Sequence, residues 1–266
     1  MTIKGHIFLI AALLIGLSGC QSLIFHPEKR IMETPADHKL PYETISIQTK
    51  DKVKLSGWWI PAEKQVGVVL FFHGNGGNVS YFLEPVIVWN RMGLSTLIVD
   101  YRGYGLSEGR PSEAGTYLDA DAAWEYLVRD RGIDGQYIIV YGKSLGGSIA
   151  TWLAQDRTPG MLIVDSSFTS IATVAKELVP WLPSGLVLGN AYNTEAYLKK
   201  VKCPVLIIHS RNDEMISFRQ GRQLFDAAGE PKELLILSGS HNGGFRLSLS
   251  LYEPGVKSFI LKHLPR

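Results

Sequence analysis

The sequence predicts an α/β fold in which a mostly parallel central sheet carries helices on both faces. The first observation is an alternation, because short runs rich in Val, Ile and aromatic residues are separated by stretches with apolar residues at helical spacing. The second is that the runs are apolar almost throughout, as strands buried on both faces of a sheet must be. The third is that Ser, Asp and His residues directly follow these runs, where open α/β sheets form their binding crevices.

Length and composition allow one large globular domain and exclude several classes of function. The chain has 266 residues, of which 45% are hydrophobic and 20% charged. Its formal net charge is only +2, and no dense stripe of Lys and Arg is interleaved with aromatic residues, so we expect no nucleic-acid partner. No H-x-x-x-H pattern or Cys/His cluster has the spacing of a zinc site. We therefore expect neither a metal nor an organic cofactor.

The first 20 residues have the pattern of a bacterial lipoprotein signal. Lys4 precedes an unbroken apolar run at 7–17, which matches the core of a secretory signal and is too short for a usual membrane-spanning helix. The run ends in Leu17-Ser18-Gly19-Cys20, which resembles the lipobox that precedes a lipidated cysteine. We predict a signal peptide at 1–19 and a lipid on Cys20. The alternative is a simple N-terminal anchor with an incidental cysteine.

Residues 20–44 predict an anchor and an extended tether, because they contain three prolines among mixed charges. Gln21 is not the aspartate associated with inner-membrane retention, so we expect the bacterial cell envelope and, in a Gram-negative cell, the outer membrane facing the periplasm. A lipid on Cys20 would leave Cys203 as a single thiol without an intrachain disulfide. We expect Cys203 to be a small core residue.

Residues 45–266 predict the folded domain. Runs at 44–49 and 54–60 predict an antiparallel hairpin at one edge of the sheet. The clearest amphipathic helix is predicted at 114–131. Six further apolar runs predict the parallel strands, at 66–72, 94–99, 137–141, 161–164, 205–208 and 233–237.

A G-x-S-x-G pentapeptide follows the third of these predicted parallel strands and begins a helical stretch. Its residues are Gly142-Lys143-Ser144-Leu145-Gly146. Such a serine can lie on a sharp strand-to-helix turn, where the positions two before and two after it must lack colliding side chains. The pentapeptide alone also fits an ordinary turn, but its position predicts a nucleophile elbow with Ser144 as the nucleophile.

The polar residues after later strands complete a catalytic constellation. Acyl transfer needs a nucleophile, a base that activates it and a group that orients the base. Asp213 and His241 follow Ser144 in the order acid, then histidine, and each comes after a predicted strand. We predict that His241 is the base and Asp213 its orienting acid. Asp165, which follows the strand after the elbow, is the reserve acid.

A glycine-rich segment after the first parallel strand predicts part of an oxyanion hole. We expect one N–H donor from Leu145, directly after the nucleophile, and a second from Asn75. Gly74, Gly76 and Gly77 flank Asn75 and would let the backbone approach a substrate closely, although a plain turn is the alternative.

Other polar residues are expected to be structural. We expect Asp100, with Arg102, to hold a loop through a salt bridge or turn hydrogen bonds. His73 and His209 are expected to lie in the core or in a loop, since neither belongs to a metal-binding pattern.

Two motifs together resemble a known family. They are Asp100-Tyr101-Arg102-Gly103-Tyr104-Gly105, with Ser107-Glu108-Gly109 and Pro111-Ser112-Glu113, and the later Gly142-Lys143-Ser144-Leu145-Gly146-Gly147. They resemble the alpha/beta-hydrolases of the branch beside serine aminopeptidases and prolyl-oligopeptidase-like enzymes, many of them membrane-anchored. The resemblance covers about residues 45–265. It implies an alpha/beta-hydrolase fold and a serine hydrolase with Ser144, Asp213 and His241 as its triad, and it supplies no substrate. The segment from Asp165 departs from the family, which often has glutamate and proline there.

Residues 165–204 carry enough apolar side chains for a small cap over the crevice, with Phe168, Trp181 and Leu182 as candidate pocket residues. The alternative is that they pack a crossover helix onto the sheet.

We expect a hydrolase of carboxylic esters with a small or acyl-chain substrate. An amidase, a peptidase or an acyltransferase would use the same acyl-enzyme. A catalytically idle scaffold of the envelope is the alternative from another class.

Overall fold

The computed structural model of the chain describes residues 24–179, 181 and 190–265. The predicted signal peptide, the predicted lipidation site Cys20 and the candidate pocket residue Leu182 therefore lie outside the described residues. Within the described ranges, no helix combines the length and the apolar composition needed to cross a bilayer.

An eight-stranded sheet forms the centre of the molecule. Its strands are β2 (Glu43–Gln48), β3 (Lys54–Ile60), β4 (Gly67–Phe72), β6 (Leu94–Val99), β7 (Ile138–Lys143), β8 (Met161–Asp165), β9 (Val205–Ser210) and β10 (Lys232–Leu237). Their order across the sheet is β10-β9-β8-β7-β4-β6-β3-β2. The β2–β3 and β3–β6 pairs are antiparallel and all other neighbours are parallel. The predicted fold class, including the antiparallel hairpin at one edge, is confirmed. Two short strands, β1 (His26–Pro27) and β5 (Gly76–Gly77), pair in parallel outside this sheet.

Helices cover both faces of the sheet because the strands are apolar on both. Along β4, Val68, Leu70 and Phe72 belong to one core cluster, whereas Val69 and Phe71 belong to the other. This alternation follows from the two-residue period of a strand. The helices are α1 (Leu83–Arg91), α2 (Glu113–Glu125), α3 (Leu145–Asp156), α4 (Ile171–Leu178), α5 (Thr194–Leu198), α6 (Phe218–Ala227), α7 (Gly244–Leu247) and α8 (Leu249–His263). Helices α1 and α8 cover one face, and α2, α3, α5 and α6 contribute to the other.

The helix predicted at 114–131 ends earlier than its apolar pattern. Helix α2 begins after Ser112, whose hydroxyl accepts the N–H of Gly115 at 3.1 Å. It ends at Glu125, and a π-helical turn over Tyr126–Asp130 continues it. Since the wider turn keeps the chain helical, the hydrophobic period alone does not mark the boundary between them.

The segment before residue 45 differs from the predicted free tether. Phe25 is 5% exposed and lies in a core cluster, and β1 pairs with β5. A short 3₁₀ helix follows over Pro35–His38. The tether prediction is therefore wrong from residue 24 onward, and the folded unit begins before the predicted boundary at 45. The prolines predict an extended tether, but the segment that contains them is held by the buried ring of Phe25 and by backbone hydrogen bonds.

Candidate active site

Ser144 lies on a sharp turn between β7 and α3, the strand-turn-helix context that the pentapeptide predicts. Its backbone has φ 53° and ψ −117°, a combination that residues with side chains rarely adopt. A Cβ at Gly142 would overlap the backbone of Gly146, and a Cβ at Gly146 would overlap the carbonyl of Phe72. Glycine at these two positions is therefore a steric requirement of this turn.

Asp213 and His241 are brought together by the loops that follow β9 and β10. The Nδ1 atom of His241 lies 2.8 Å from Oδ2 of Asp213. The other carboxylate oxygen of Asp213 accepts the backbone N–H groups of Met215 at 3.0 Å and Ile216 at 2.8 Å. The carboxylate is thus fixed by its own loop, and it in turn fixes the imidazole ring.

The electrostatics of this pair favour an ionised carboxylate. Burial alone would raise the pKa of Asp213, but the hydrogen bond from His241 and the amide of Ile216 outweigh it and place this pKa below the ordinary value. An ionised carboxylate only accepts hydrogen bonds, so Nδ1 of His241 must carry the proton. The Nε2 atom of a neutral His241 is then left as the basic nitrogen.

His209 lies beneath the same carboxylate and has the structural role expected of it. Its Nε2 atom is 2.9 Å from the carbonyl of Ile216 and 3.6 Å from Oδ2 of Asp213. Burial lowers the pKa of His209, so the ring is neutral and packs against the loop that carries Asp213. Sequence reasoning identified the residue as structural but gave no sign of this contact.

One cavity of about 420 Å³ contains both Ser144 and His241 in its lining. Part of the lining comes from the turn residues around them, and an apolar wall comes from side chains that sequence reasoning did not single out. That apolar wall consists of Tyr81, Phe82, Pro85, Met215 and Phe245. The cavity therefore presents a serine side chain, an imidazole and an apolar surface to the same small volume.

Two of the three candidate pocket residues are described by the structure, and neither is found in this lining. Phe168 is 3% exposed and belongs to the hydrophobic core, and Trp181 is 84% exposed. Neither lines the cavity, so both pocket predictions are wrong, while Leu182 lies outside the described residues. Apolar character alone does not separate a pocket wall from the core or from an exposed surface, since the direction of each side chain depends on the path of the chain.

Asp165, the reserve acid, is engaged elsewhere. The Tyr141 hydroxyl donates to its Oδ2 atom, and the Ser166 hydroxyl donates to Oδ1 at 2.8 Å. Its backbone carbonyl accepts the N–H of Ser144 at 2.8 Å. Asp165 thus supports the elbow through the backbone, whereas Asp213 is the carboxylate that contacts His241.

Lys143, the residue before Ser144, contacts both the loop of His241 and the end of β8. Its ammonium group donates to the backbone carbonyl of His241 at 3.3 Å and lies 4.0 Å from Oδ1 of Asp165. Because the pentapeptide accepts many residue types at this position, sequence gave no signal for this role.

The two expected oxyanion donors lie on elements that adjoin Ser144. Leu145 is the first residue of α3, so its N–H has no partner within the helix. Asn75 lies in the segment 73–78 after β4, called the glycine loop below. A Cβ on Gly74 of this loop would lie 3.8 Å from the Cβ of Ser144, which places the loop against Ser144. A helix N-terminus and a glycine-rich backbone segment therefore adjoin Ser144.

The segment 100–109 after β6, called the tyrosine loop below, is hydrogen-bonded to the glycine loop. The hydroxyl of Tyr101 donates to the carbonyl of His73 at 2.8 Å, and that of Tyr104 donates to the carbonyl of Asn75 at 2.7 Å. One carboxylate oxygen of Asp100 accepts the N–H of Val79 at 2.9 Å. The sequence pattern includes these residues in a motif but does not reveal that they contact the glycine loop, which carries Asn75.

The expected pairing of Asp100 with Arg102 is only half correct, because Asp100 holds a loop but Arg102 has other partners. The Arg102 guanidinium pairs with Asp119 at 2.9 Å and with Asp51 at 2.7 Å. It therefore joins the tyrosine loop to α2 and to the turn between β2 and β3. His73 is fully buried, with Nδ1 2.8 Å from the carbonyl of Gly74, in agreement with its expected structural role.

The described residues contain no group of three or more His, Cys, Asp or Glu side chains arranged to hold a metal ion. The chemistry available at this site is that of a serine hydroxyl, an imidazole, a carboxylate and backbone N–H donors.

Known proteins are similar to this chain in sequence, and solved structures are similar to it in fold. A family model described as the alpha/beta hydrolase fold matches residues 67–191. An uncharacterized protein of Mycobacterium tuberculosis is 33% identical over 244 residues, covering 88% of this chain and 87% of the relative. An uncharacterized membrane protein of Saccharomyces cerevisiae is 33% identical over 220 residues, covering 79% of this chain and 77% of the relative.

A solved structure of an esterase from Pyrococcus furiosus has a TM-score of 0.76 and covers 91% of this chain and 99% of its own. At 22% identity this likeness concerns the fold alone. The family model covers the serine turn, and the relatives align over most of the chain. The chain belongs to the alpha/beta hydrolase family.

Proposed function

We propose that this protein is a serine hydrolase that cleaves carboxylic esters through an acyl-enzyme on Ser144. The single observation that carries the proposal is the contact of His241 with Asp213 beside a cavity that Ser144 also lines. Nucleophile, base and orienting acid come from three different loops at the carboxyl ends of their strands. The esterase name of the Pyrococcus furiosus structure points to the same chemistry.

The reaction proceeds in two halves. As Oγ of Ser144 attacks the ester carbonyl carbon, Nε2 of His241 takes the serine proton and Asp213 stabilises the resulting imidazolium. The negative charge on the carbonyl oxygen is accepted by the N–H groups of Leu145 and Asn75. The proton then passes from His241 to the departing alkoxide, which leaves as an alcohol while the acyl group remains on Ser144. Water attacks this acyl-enzyme in the same way, with His241 as base, and releases a carboxylic acid and the free serine.

The cavity supports small or short-chain acyl esters as substrates. Its volume of about 420 Å³ is near the lower end of the range for small-molecule sites. The apolar wall formed by Tyr81, Phe82, Pro85, Met215 and Phe245 would take the acyl or alcohol part of the ester.

Hydrolysis of a series of p-nitrophenyl esters tests this proposal. With acetyl, butyryl, octanoyl and dodecanoyl esters, we expect turnover by the parent protein that is highest for the shorter acyl chains. Ser144→Ala should reduce turnover to the uncatalysed rate while the circular dichroism spectrum stays unchanged, because alanine tolerates the turn at least as well as serine. Equal turnover in that variant, or no turnover of any ester by a folded parent, would contradict the proposal.

We also propose that a lipid on Cys20 attaches the protein to a membrane of the bacterial envelope, with the outer membrane facing the periplasm as the site in a Gram-negative cell. The lipobox-like sequence supports this, and the yeast relative is likewise described as a membrane protein. Radiolabelled palmitate should be incorporated by the parent and by Cys203→Ser, but not by Cys20→Ser. Incorporation into the Cys20→Ser protein would contradict the proposal.

A further inference from the structure

We propose that residues 24–30, called the N-terminal strap below, are a positioning element that holds the Asn75 donor in place for the oxyanion. The inference rests on the proposed function, since it assigns a second role to the segment that precedes the predicted domain. It goes further because it makes turnover depend on residues that touch neither the nucleophile nor the cavity.

The strap binds Asn75 at two points. The backbone N–H of His26 donates to the carbonyl of Asn75 at 3.0 Å. The side-chain amide of Asn75 donates to the carbonyl of Ile24 at 2.9 Å. The backbone carbonyl and the side-chain amide of Asn75 are therefore both hydrogen-bonded to the same short segment of chain.

The strap continues along the glycine loop. The N–H of Glu28 donates to the carbonyl of Gly77 at 2.9 Å, which completes the parallel pairing of β1 with β5. The side-chain amide of Asn78 donates to the carbonyls of Glu28 at 3.0 Å and Arg30 at 2.8 Å. Asn75, Gly77 and Asn78 of the glycine loop are thus hydrogen-bonded to the strap.

The other edge of the strap is bound to the tyrosine loop. The N–H of Gly105 donates to the carbonyl of Glu28 at 3.0 Å, and the ammonium group of Lys29 donates to the carbonyl of Ser107 at 3.0 Å. The ring of Phe25 is 5% exposed and meets Tyr192 edge-on with the ring centroids 6.4 Å apart. The strap is therefore anchored in the core and bridges two loops.

The glycine loop needs this external support. Gly74, Gly76 and Gly77 give its backbone wide conformational freedom, so the direction of the Asn75 N–H is not fixed by the loop itself. Only the strap and Tyr104 donate to the carbonyl of Asn75 among the contacts of the described residues. The negative charge on the oxygen is absent from the bound ester and develops as the tetrahedral intermediate forms, so loosening Asn75 should lower kcat and leave KM nearly unchanged.

A matched pair of substitutions at His26 tests the strap. The side chain of His26 is exposed, and its backbone N–H donates to the carbonyl of Asn75 in the glycine loop. His26→Pro removes this N–H, whereas His26→Ala keeps it. For ester hydrolysis by the whole protein, we expect His26→Pro to lower kcat by about tenfold or more with KM within about twofold, as for a weakened oxyanion donor. His26→Ala should match the parent.

Amide hydrogen exchange over residues 73–78 provides a readout that does not depend on turnover. We expect faster exchange in His26→Pro than in the parent, and parent-like exchange in His26→Ala. If the parent hydrolyses no ester, the proposed function fails and exchange alone decides whether the strap holds the loop. Equal kcat and equal exchange in the two His26 variants would overturn the inference.

Phe25→Ala keeps every backbone donor and removes the buried anchor, so it replaces His26→Pro if that protein does not fold. The same loss of kcat and the same faster exchange are expected. A parent-like result in folded Phe25→Ala protein would then count against the strap.

Discussion

Ser144 has a backbone conformation that its neighbours must enforce. Its φ of 53° lies in the left-handed region, and the turn that holds it brings the backbone of Gly142 against that of Gly146. The pentapeptide therefore predicts the turn for a physical reason, because any side chain at position 142 or 146 would collide with the backbone. The sequence also placed Asp213 and His241 after their strands, and their contact follows from the geometry of the sheet edge.

Gly146→Ala should destabilise the fold while leaving the chemical groups of the site in the sequence. The added methyl group would overlap the carbonyl of Phe72, so we expect the free energy of unfolding to fall by about 1–3 kcal/mol, as for other overpacked sites. Gly229→Ala is the control, because its Cβ would have its nearest neighbour at 3.7 Å. Urea unfolding of both variants measures the difference, and equal stabilities would show that the turn is not sterically tight.

Asp213→Asn and Asp165→Asn separate the two candidate acids. An asparagine at 213 would no longer hold the proton on Nδ1 of His241 or stabilise its imidazolium, so we expect kcat to fall by about 10³–10⁴. Asp165→Asn should have a much smaller effect, because the Asp165 side chain contacts Tyr141 and Ser166 rather than His241. Steady-state ester hydrolysis measures both. A larger loss from the change at 165 would reverse the assignment.

Helices and loops are held in place by contacts with residues that are distant in sequence. The tyrosine loop is recognisable as a motif, yet its function in the fold comes from hydroxyl groups that reach the glycine loop from another strand end. The end of α2 is a similar case, since its apolar pattern continues into the π-helical turn. Local periodicity predicted the elements. It could not predict that the tyrosine loop is hydrogen-bonded to the glycine loop, because the two loops are distant in sequence.

Arg102 shows how strongly one side chain can hold such elements together. It is 7% exposed and pairs with Asp119 in α2 and with Asp51 in the turn between β2 and β3. Arg102→Gln would leave buried Asp119 without its cation, so we expect the free energy of unfolding to fall by about 3–5 kcal/mol.

Arg129→Gln is the matched control for this measurement. The Arg129 side chain is 77% exposed and pairs with Glu125 on the surface, so its loss should cost about 0–1 kcal/mol. Chemical unfolding compares the two variants. If both lose the same stability, the Arg102 cluster does not join these elements as described.

At the scale of the whole molecule, the alternation of strands and helices predicted the architecture, whereas composition misassigned the segment before residue 45. Prolines and mixed charges there fit a tether, but Phe25 reaches the core and β1 pairs with β5. A single buried ring and a few backbone hydrogen bonds are too local to appear in composition. The cavity wall was missed for a related reason, since Tyr81 and Met215 lie far apart in sequence and meet only in the folded chain.

A protein that begins at residue 45 should therefore be less stable than one that begins at residue 21. Loss of Phe25 alone removes a buried aromatic side chain, for which truncation typically costs about 3–5 kcal/mol. We expect a lower urea midpoint for the shorter protein by at least the equivalent of about 3 kcal/mol. Equal midpoints would mean that residues 24–44 add nothing to the folded unit.

The central claim is that Ser144 is an activated nucleophile, and covalent labelling of residues 21–266 with a fluorophosphonate tests it most directly. The serine oxygen would displace fluoride from phosphorus, and peptide mass mapping identifies the residue that carries the adduct. We predict a single adduct on the peptide that contains Ser144, no adduct in Ser144→Ala and strongly slowed labelling in His241→Ala. An unlabelled but folded parent, or an adduct on another serine, would contradict the account.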